Sequence, residues 1–360
     1  MEPVRVGIVG CGLIAFMKHM PALKKCGALM IAFYDAKIEN AQRALDQFGA
    51  PGARAYDTLD GLLQNRDAEA VYILTPNRFH CEQSVLALKA GKHVMCEKPM
   101  ALGAAEAKQM LDARDESGTL LTVGYQNRQL PESIYLKKEC ESGTLGDIYY
   151  ARARALRRRG VPTWGNFFSR SSQGGGALID IATHALDLTL YLMNNFEPVY
   201  CAGTTYSAFS HAVQPGNHWG DWDGRSYDVE DAAFGFVVMK NGATVCLEAS
   251  WALNTLETGD CRTVLCGTKG GADTLDGLRL NGVSHNTQYI LKPDFTATGV
   301  APFEQKRTED DRECEIFLKA VRGEGKLCVL PEQAAAVARI LEGVYLSAQS
   351  GKPHMFSDAQ

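Results

Sequence analysis

The first 125 residues alternate between short apolar runs and amphipathic segments. The apolar runs are Val4–Gly10, Leu29–Asp35, AVYILTP, HVMCEKP and Leu120–Tyr125. The segments between them, such as KIENAQRALDQFG and FHCEQSVLALKAGK, have helical spacing and stop at Gly49 and Gly91. Apolar strands that alternate with helices are typical of a parallel sheet covered on both faces. We therefore predict an α/β domain over residues 1–125.

The pattern changes after residue 146. DIYYARARALRRR alternates alanine with arginine, AAFGFVVMKNGATVCLEASWAL contains a hairpin signal at Asn241–Gly242, and CRTVLCGTKGGADTL favours a further strand pair. One helix, Gly174–Leu192, interrupts these strands, and PEQAAAVARILEGVYLSAQSG predicts a last helix. The second domain, residues 126–360, is thus expected to be α+β with a mostly antiparallel sheet. The last helix is a candidate for packing back on the first domain.

Length, charge and cysteine content limit the function classes. A chain of 360 residues suits two domains, and its net charge of −5 argues against nucleic-acid binding. No apolar run reaches the ~18 residues of a membrane span, and the N-terminus does not resemble a signal peptide. The 11 cysteines form no CxxC pair, which indicates reduced thiols in the cytoplasm and no zinc-type metal site. We therefore expect a cytoplasmic protein without nucleic-acid or membrane partners.

A glycine-rich turn follows the first predicted strand. GCGLIA places Gly10, Gly12 and Ala15 on a G-x-G-x-x-G/A frame, and Asp35 ends the next strand 20 residues after Ala15. This context is that of a dinucleotide-binding turn, with the pyrophosphate at the helix N-terminus. The Asp35 carboxylate is expected to bind the adenosine ribose and to repel the 2′-phosphate of NADP, which favours NAD. The nearby Lys37 weakens this preference. The alternative is a glycine turn without a nucleotide. Two further predicted cofactor contacts open the helix, Leu13 and Ile14.

A second stretch of interest is GGGALIDIATHALDL, residues 174–188. If it is helical, Asp180 and His184 are i and i+4 and share one face. A histidine in a cleft is a suitable general base, and a neighbouring carboxylate can orient it or hold a substrate hydroxyl. The alternative is a charge pair on a helix surface. Gly174–Gly176 are expected to let the backbone approach the substrate.

The chain resembles the Gfo/Idh/MocA oxidoreductase family. The resemblance rests on four features in this order along the chain: the nucleotide-binding half, CEKPM, GTLGDI and GGGALIDIATHALDL. The resemblance covers nearly the whole chain. It implies an N-terminal Rossmann domain and a C-terminal domain with an open sheet. It also implies NAD(P)-linked chemistry on sugars or cyclitols and homo-oligomers formed through the open sheet, which would use or bury the Arg152 and Arg154 face.

The resemblance also assigns residues. Lys98 of EKP corresponds to the catalytic lysine of the family, and Asp180 and His184 correspond to its second-domain pair. A lysine beside the reacting oxygen would stabilise a developing alkoxide. The implied contacts to the cofactor and the site are Thr75, Pro76, Asn77, His80, Glu97 and Asn127.

Several residues near the predicted site have the mixed aromatic and polar character of sugar-binding surfaces. They are expected to contact the substrate. For those in the loop Ser207–Glu230, the alternatives are packing within the loop or a contact with a neighbouring subunit. His19 and Trp251, by contrast, are expected to pack in the interior. The tentative substrate contacts are Arg158, Trp164, Arg170, His218 and Trp222.

The leading hypothesis is NAD-dependent oxidation of a secondary hydroxyl of a sugar or glycoside. The stretch RRRGVPTWG with the glycine run and the loop Ser207–Glu230 resembles family members that oxidise the 3-hydroxyl of plant glycosides, including C-glycosides. One alternative is a redox-neutral lyase or glycosidase-like enzyme that retains its NAD and acts through a 3-oxo intermediate. The other is an NAD-sensing regulator, against which the presence of Lys98, Asp180 and His184 argues.

Overall fold

The structure is a computed structural model that describes residues 2–210, 216–222, 224, 227–295 and 307–356. The chain divides into two compact units. The first unit comprises Met1–Gln129 and Glu304–Ala335, and the second comprises Leu130–Phe303 and Ala336–Gln360. This division falls near the predicted boundary at residues 125 and 126, and it groups the described residues 307–335 with the first unit.

Fifteen strands lie in the described residues. In chain order they are β1 Arg5–Val9, β2 Leu29–Tyr34, β3 Arg54–Tyr56, β4 Ala70–Ile73, β5 His93–Cys96, β6 Leu121–Val123, β7 Ile148–Leu156, β8 Pro198–Tyr206, β9 Ala232–Met239, β10 Thr244–Ser250, β11 Gly259–Gly267, β12 Gly270–Asp273, β13 Arg279–Ser284, β14 Thr287–Leu291 and β15 His354–Met355.

The same residues contain ten α-helices. They are α1 Met20–Lys25, α2 Ile38–Phe48, α3 Leu59–Leu63, α4 His80–Lys89, α5 Ala104–Ser117, α6 Pro131–Glu141, α7 Arg170–Gln173, α8 Thr183–Met193, α9 Glu309–Val321 and α10 Pro331–Ser350. Two π-helical turns, Ala15–His19 and Leu178–Ala182, precede α1 and α8 without a break.

The first unit is built on a six-stranded parallel sheet in the order β3-β2-β1-β4-β5-β6. Its central strands are buried along their length, which explains why they read as continuous apolar runs. Helix α9, which the sequence did not predict, packs against α1 and sets Phe317 edge-on to Tyr72, with ring centroids 5.6 Å apart. The predicted Rossmann fold is confirmed.

The second unit contains a nine-stranded open sheet in the order β14-β13-β12-β11-β7-β10-β9-β8-β15. Its named strands pair antiparallel except β7 and β10, which are parallel. Helix α8 packs on β7 and β11, where the hydroxyl oxygens of Thr189 and Thr263 lie 2.9 Å apart. The predicted mostly antiparallel sheet and its hairpin at Gly242 are confirmed.

One helical stretch in the described residues, Arg170–Met193, is long and apolar enough to cross a membrane by length and composition alone. Of its most apolar window, 78% is buried inside the structure, as in the core helix of a globular domain. The stretch is not the regular helix that the sequence predicted. Helix α7 ends at Gln173, Gly174 has a φ of +83°, and the π-helical turn follows.

Candidate active site

The carboxyl ends of β1, β4, β5 and β6 lie side by side in the first sheet, because these strands are neighbours. Backbone hydrogen bonds extend past the strand ends, from Leu74 N to the Val9 oxygen and from Glu97 N to the Ile73 oxygen. The segments that follow these strands therefore line one edge of the sheet. In an open parallel sheet this edge is where ligands bind. The predicted cofactor residues of the first unit follow these strand ends.

The glycine turn after β1 has the geometry that a dinucleotide requires. Gly10 has a φ of +92°, and a Cβ there would lie 2.8 Å from the carbonyl carbon of Leu74, so only glycine fits. A Cβ on Gly12 would meet nothing within 4 Å. Its missing side chain thus leaves open the space that a pyrophosphate needs at a helix N-terminus. Leu13 and Ile14 follow as exposed residues.

Asp35 lies beside this turn, as predicted. Its Oδ2 accepts a hydrogen bond from Cys11 N at 2.8 Å, and its Oδ1 accepts from Lys37 N at 2.9 Å and from Asn40 Nδ2 at 3.1 Å. The carboxylate therefore fixes the glycine turn to the end of β2. The sequence did not indicate this second function of Asp35, because it depends on a contact with Cys11.

The segment after β4 carries Thr75, Pro76, Asn77 and His80. Thr75 and Asn77 are half-buried and Pro76 is exposed. His80 is buried, with Nδ1 at 2.7 Å from the Pro99 oxygen and Nε2 at 2.8 Å from the Thr75 oxygen. Burial lowers the pKa of His80. Both ring nitrogens of His80 thus contact backbone oxygens, one after β4 and one after β5. We therefore replace its expected contact with the cofactor by a structural role, in which it connects these two loops.

Glu97 and Lys98 follow β5. The Glu97 side chain is buried. Its Oε1 accepts a hydrogen bond from Lys18 Nζ at 3.1 Å and lies 2.7 Å from His19 Nε2. Its Oε2 accepts a hydrogen bond from Lys98 N at 2.9 Å. Burial would raise the pKa of Glu97, but Lys18 and His19 hold it well below its usual value. The expected contact of Glu97 with the cofactor stays a prediction. Both oxygens are directed to protein groups, and the half-buried Lys98 remains the reactive candidate.

Asn127 lies in the short 3₁₀ turn Gln126–Gln129 that follows β6. Its side chain is half-buried. This places it after the fourth neighbouring strand end, in series with Gly10, Thr75 and Lys98. Its contact with the cofactor stays a prediction.

In the second unit, the glycine run is explained by close packing within that unit. A Cβ on Gly175 would lie 2.0 Å from the Tyr345 hydroxyl, and one on Gly176 would lie 1.9 Å from the Glu230 carbonyl oxygen. The expectation that these glycines make room for substrate is therefore corrected at both positions. Because these glycines have no side chain, the segment before the π-helical turn can pack directly on Glu230, which precedes β9, and on Tyr345 of α10.

Glu230 holds the start of the π-helical turn. Its buried Oε1 accepts from Gly176 N at 2.9 Å, from Leu178 N at 3.0 Å and from the Tyr345 hydroxyl at 2.7 Å. Burial raises the pKa of Glu230, and these donors oppose the rise. A carboxylate that satisfies the first amides of a helix fixes its starting position. Glu230 and Tyr345 are thus supporting residues of the segment that carries Asp180.

Asp180 lies in the π-helical turn, and His184 is the second residue of α8. Both side chains are half-buried. Trp251, which is fully buried after β10, donates its indole Nε1–H to Asp180 Oδ2 at 3.0 Å. π-Helical turns occur frequently at functional sites. Trp251 therefore does more than fill the core, because it orients a candidate catalytic carboxylate.

The tentative substrate contacts do not form one group. Trp164 is partly exposed and packs edge-on against Trp219, with ring centroids 4.9 Å apart, and the exposed His218 lies against the same ring. Trp222 is buried and donates its indole N–H to the Ser210 oxygen at 3.0 Å. We therefore remove Trp222 from the substrate contacts.

The two tentative arginines also differ. Arg158 is exposed. Arg170 donates its backbone N–H to the Asp228 carboxylate, and its guanidinium lies 3.8 Å from Glu230 Oε2. Arg170 is thus connected to the carboxylate that holds the helix start. A substrate contact of Arg158 stays a prediction.

Family models match both units. The model of the oxidoreductase family with an NAD-binding Rossmann fold matches residues 4–125, and the GFO/IDH/MocA C-terminal domain model matches residues 134–273. The chain is also similar to the D-glucoside 3-dehydrogenase of Escherichia coli (strain K12). The two are 32% identical over 356 residues, which cover 97% of each chain.

Two solved structures are similar over nearly their full length. An oxidoreductase domain protein from Kribbella flavida superposes with a TM-score of 0.84 at 21% identity, covering 99% of this chain and 100% of that one. A levoglucosan dehydrogenase in complex with NADH and levoglucosan superposes with a TM-score of 0.82 at 23% identity, with the same coverage. At these identities the likeness establishes the fold.

Proposed function

This chain belongs to the Gfo/Idh/MocA oxidoreductase family, and from that premise we propose that it oxidises the 3-hydroxyl of a glucoside with NAD. The observation that carries the proposal is the similarity to D-glucoside 3-dehydrogenase along 97% of the chain. A likeness of this extent includes both the Rossmann domain and the segment with Asp180 and His184. The bond from Trp251 to Asp180 supports the proposal, because it fixes one of the two candidate catalytic groups.

Oxidation of an alcohol removes a proton from oxygen and a hydride from carbon. Bound oxidised NAD supplies the hydride acceptor. His184 is the proposed base for the hydroxyl proton, since a neutral imidazole nitrogen can accept a proton. Asp180, fixed by Trp251, orients the imidazole or a neighbouring sugar hydroxyl.

Lys98 is the proposed stabiliser of the developing alkoxide. Its backbone N–H is held by the Glu97 carboxylate at the end of β5, so the side chain starts from a fixed point at the sheet edge. A preorganised cation at the oxygen stabilises negative charge without reorganisation during the reaction. Removal of one such group typically lowers the rate by about 10²–10³.

The proposed preference for NAD over NADP rests on Asp35. The residue lies at the end of β2, where its carboxylate would face the adenosine ribose. A negative charge there would bind the ribose hydroxyls and repel a 2′-phosphate. Three donors already hold the carboxylate in a fixed orientation.

The experiment is a glycoside panel incubated with the purified protein, with and without added NAD, and analysed by mass spectrometry and NMR. The proposal predicts a product two mass units lighter with the carbonyl at C3, and loss of this product in Lys98→Met. Free aglycone without accumulated oxidised sugar would instead favour the redox-neutral lyase. Oxidation at another carbon, or no reaction across the panel, would contradict the proposal.

A further inference from the structure

A group of charged and titratable side chains is buried in the first unit, behind the candidate catalytic lysine. It is called the Glu97 hub here and consists of Lys18, His19, Glu97, Asp310 and Glu313. Lys18, His19, Glu97 and Glu313 are each less than 10% exposed. Charged groups are rarely buried to this degree unless they are paired. The proposed reaction uses none of them directly.

Glu97 is the centre of the hub. Its Oε1 lies 2.7 Å from His19 Nε2 and 3.1 Å from Lys18 Nζ, while its Oε2 accepts from Lys98 N at 2.9 Å. The carboxylate therefore connects two segments of the chain. One of its oxygens is held by the helix that begins at the glycine turn, and the other holds the backbone of Lys98.

Lys18 is held in turn by helix α9. Its Nζ lies 3.5 Å from Glu313 Oε2 and 3.7 Å from Asp310 Oδ1, in addition to Glu97. Burial would lower the pKa of Lys18, but Glu313, Glu97 and Asp310 raise it above its usual value. Lys18 is therefore a fixed cation, and it keeps Glu97 ionised.

His19 has a different role from Lys18. Burial lowers its pKa, with a further contribution from the Lys18 charge. A neutral imidazole with a proton on Nε2 donates one hydrogen bond to Glu97 without adding a second cation. Its ring also packs edge-on against Tyr72, with centroids 5.5 Å apart, which fixes the direction of that donor.

We propose that His19 and Lys18 are positioning residues for Lys98 and act on it through Glu97. The inference rests on the proposed role of Lys98 in the reaction. The two residues lie in the π-helical turn that continues from the glycine turn, so the hub links the cofactor-binding turn to the backbone of the catalytic lysine. Displacement of a reacting group by about 1 Å can lower a rate by about 10²-fold.

The test compares His19→Phe with His19→Gln. Phenylalanine keeps a ring against Tyr72 but has no donor for Glu97, whereas the glutamine amide can donate. We expect His19→Phe to lower kcat for glycoside oxidation about 10-fold or more, with the KM for NAD changed less than twofold. His19→Gln should recover most of the lost kcat.

The second readout is independent of activity. Hydrogen exchange of the Lys98 amide, resolved by electron-transfer fragmentation, reports on its bond to Glu97 Oε2. We expect this amide to exchange at least several-fold faster in His19→Phe than in the wild type or His19→Gln. An unchanged exchange rate in His19→Phe would overturn the inference even if the protein proves to have another activity.

Leu23→Ala is the matched control, since Leu23 is fully buried in α1, which continues directly from the turn with His19, and has no polar group to offer Glu97. It should lower the melting temperature at least as much as His19→Phe while leaving kcat and Lys98 exchange near wild type. Equal loss of kcat in Leu23→Ala would show that helix stability alone is responsible. If the wild type oxidises no glycoside, the proposed function fails. The exchange rates of the Lys98 amide still test whether His19 positions the Lys98 backbone through Glu97.

Discussion

Trp251 donates its indole N–H to Asp180 Oδ2 across 3.0 Å, and it does so from a fully buried position. The backbone N–H of Trp251 donates to the Asp231 carbonyl oxygen at 2.8 Å, so both the backbone and the indole of this residue are held by hydrogen bonds. The candidate carboxylate is therefore held by a donor that belongs to the core of the second unit.

We predict that Trp251→Phe lowers kcat about 10-fold or more. A hydrogen bond to a charged group contributes about 1.5–3 kcal/mol, and Asp180 would lose one that fixes its orientation. Steady-state kinetics with a glucoside and NAD measures the effect, and circular dichroism confirms the fold.

Trp222→Phe is the control for this variant. Trp222 is also a buried tryptophan of the second unit, and its indole N–H donates at 3.0 Å, but to the Ser210 oxygen. The control should lose stability and keep its kcat. Equal losses of kcat in the two variants would contradict a specific role for the bond to Asp180.

We predict that Gly176→Ala lowers both stability and kcat. The added Cβ would lie 1.9 Å from the Glu230 backbone oxygen, so the start of the π-helical turn must shift. Overpacking of this kind typically costs about 1–3 kcal/mol. Thermal unfolding and kinetics measure the two effects. In Gly325→Ala, by contrast, the nearest atom is a side-chain carbon at 3.7 Å, and both quantities should stay near wild type.

We predict that Asp35→Arg shifts the cofactor preference from NAD toward NADP. The substitution removes the carboxylate that would repel a 2′-phosphate and adds a cation that can bind it. It also removes the acceptor of Cys11 N, so some loss of stability is expected. Binding titrations with both cofactors measure the ratio of affinities. An unchanged ratio would show that Asp35 does not face the ribose.

Glu313 gives a prediction on pH and stability. Burial raises its pKa to about 7, assisted by Glu97 and Asp310 and opposed by Lys18. In the unfolded chain its pKa returns to about 4.5. The folded state therefore binds more protons between these values, and the stability that this contributes is lost as pH rises through about 7.

Glu313→Gln cannot ionise, so it should avoid this loss. We expect its melting temperature to exceed that of the wild type at pH 8 by several degrees and to show no such gain at pH 5. The upper limit from linkage is about 3 kcal/mol. Differential scanning calorimetry at both pH values measures the difference. A variant that is less stable than the wild type at pH 8 would show that Glu313 contributes mainly as a partner of Lys18.

Much of the fold could be predicted because its strands are buried on both faces or alternate strictly. The runs around β1, β2 and β4 are apolar apart from Arg5 at the start of β1, and β7 places Ala151, Ala153 and Ala155 on a buried face. Strand β14 could not be predicted in this way, since all five of its residues are exposed. Helix α9 packs against α1, which lies almost 300 residues earlier in the chain. Local sequence patterns do not indicate a contact over this separation, so its membership of the first unit could not be predicted.

The candidate site was predicted only in part, for a related reason. Lys98, Asp180 and His184 lie in recognisable motifs, but the residues that support them do not. Trp251 lies 71 positions from Asp180, and His19 lies 78 positions from Glu97. Such contacts depend on tertiary packing, and so does the reason for Gly175 and Gly176, which were expected to face substrate.

The predicted homo-oligomer and the Arg152 and Arg154 face stay predictions. Within the second unit, both arginines bond to Glu248 on the neighbouring strand, at 2.9 Å and 2.8 Å, so part of their charge is balanced inside the sheet. Arg154 bonds in addition to Glu257. An interface on this face would therefore meet an ion-pair network rather than free cations.

The central claim is that the protein removes hydride from C3 of a glucoside with NAD as acceptor. The direct measurement uses methyl β-D-glucoside deuterated only at C3, with NMR and mass analysis of both products. We predict deuterium in the reduced cofactor, a 3-oxo product without it, and a primary isotope effect on the chemical step. Deuterium that remains on the sugar while the cofactor is reduced would contradict the claim.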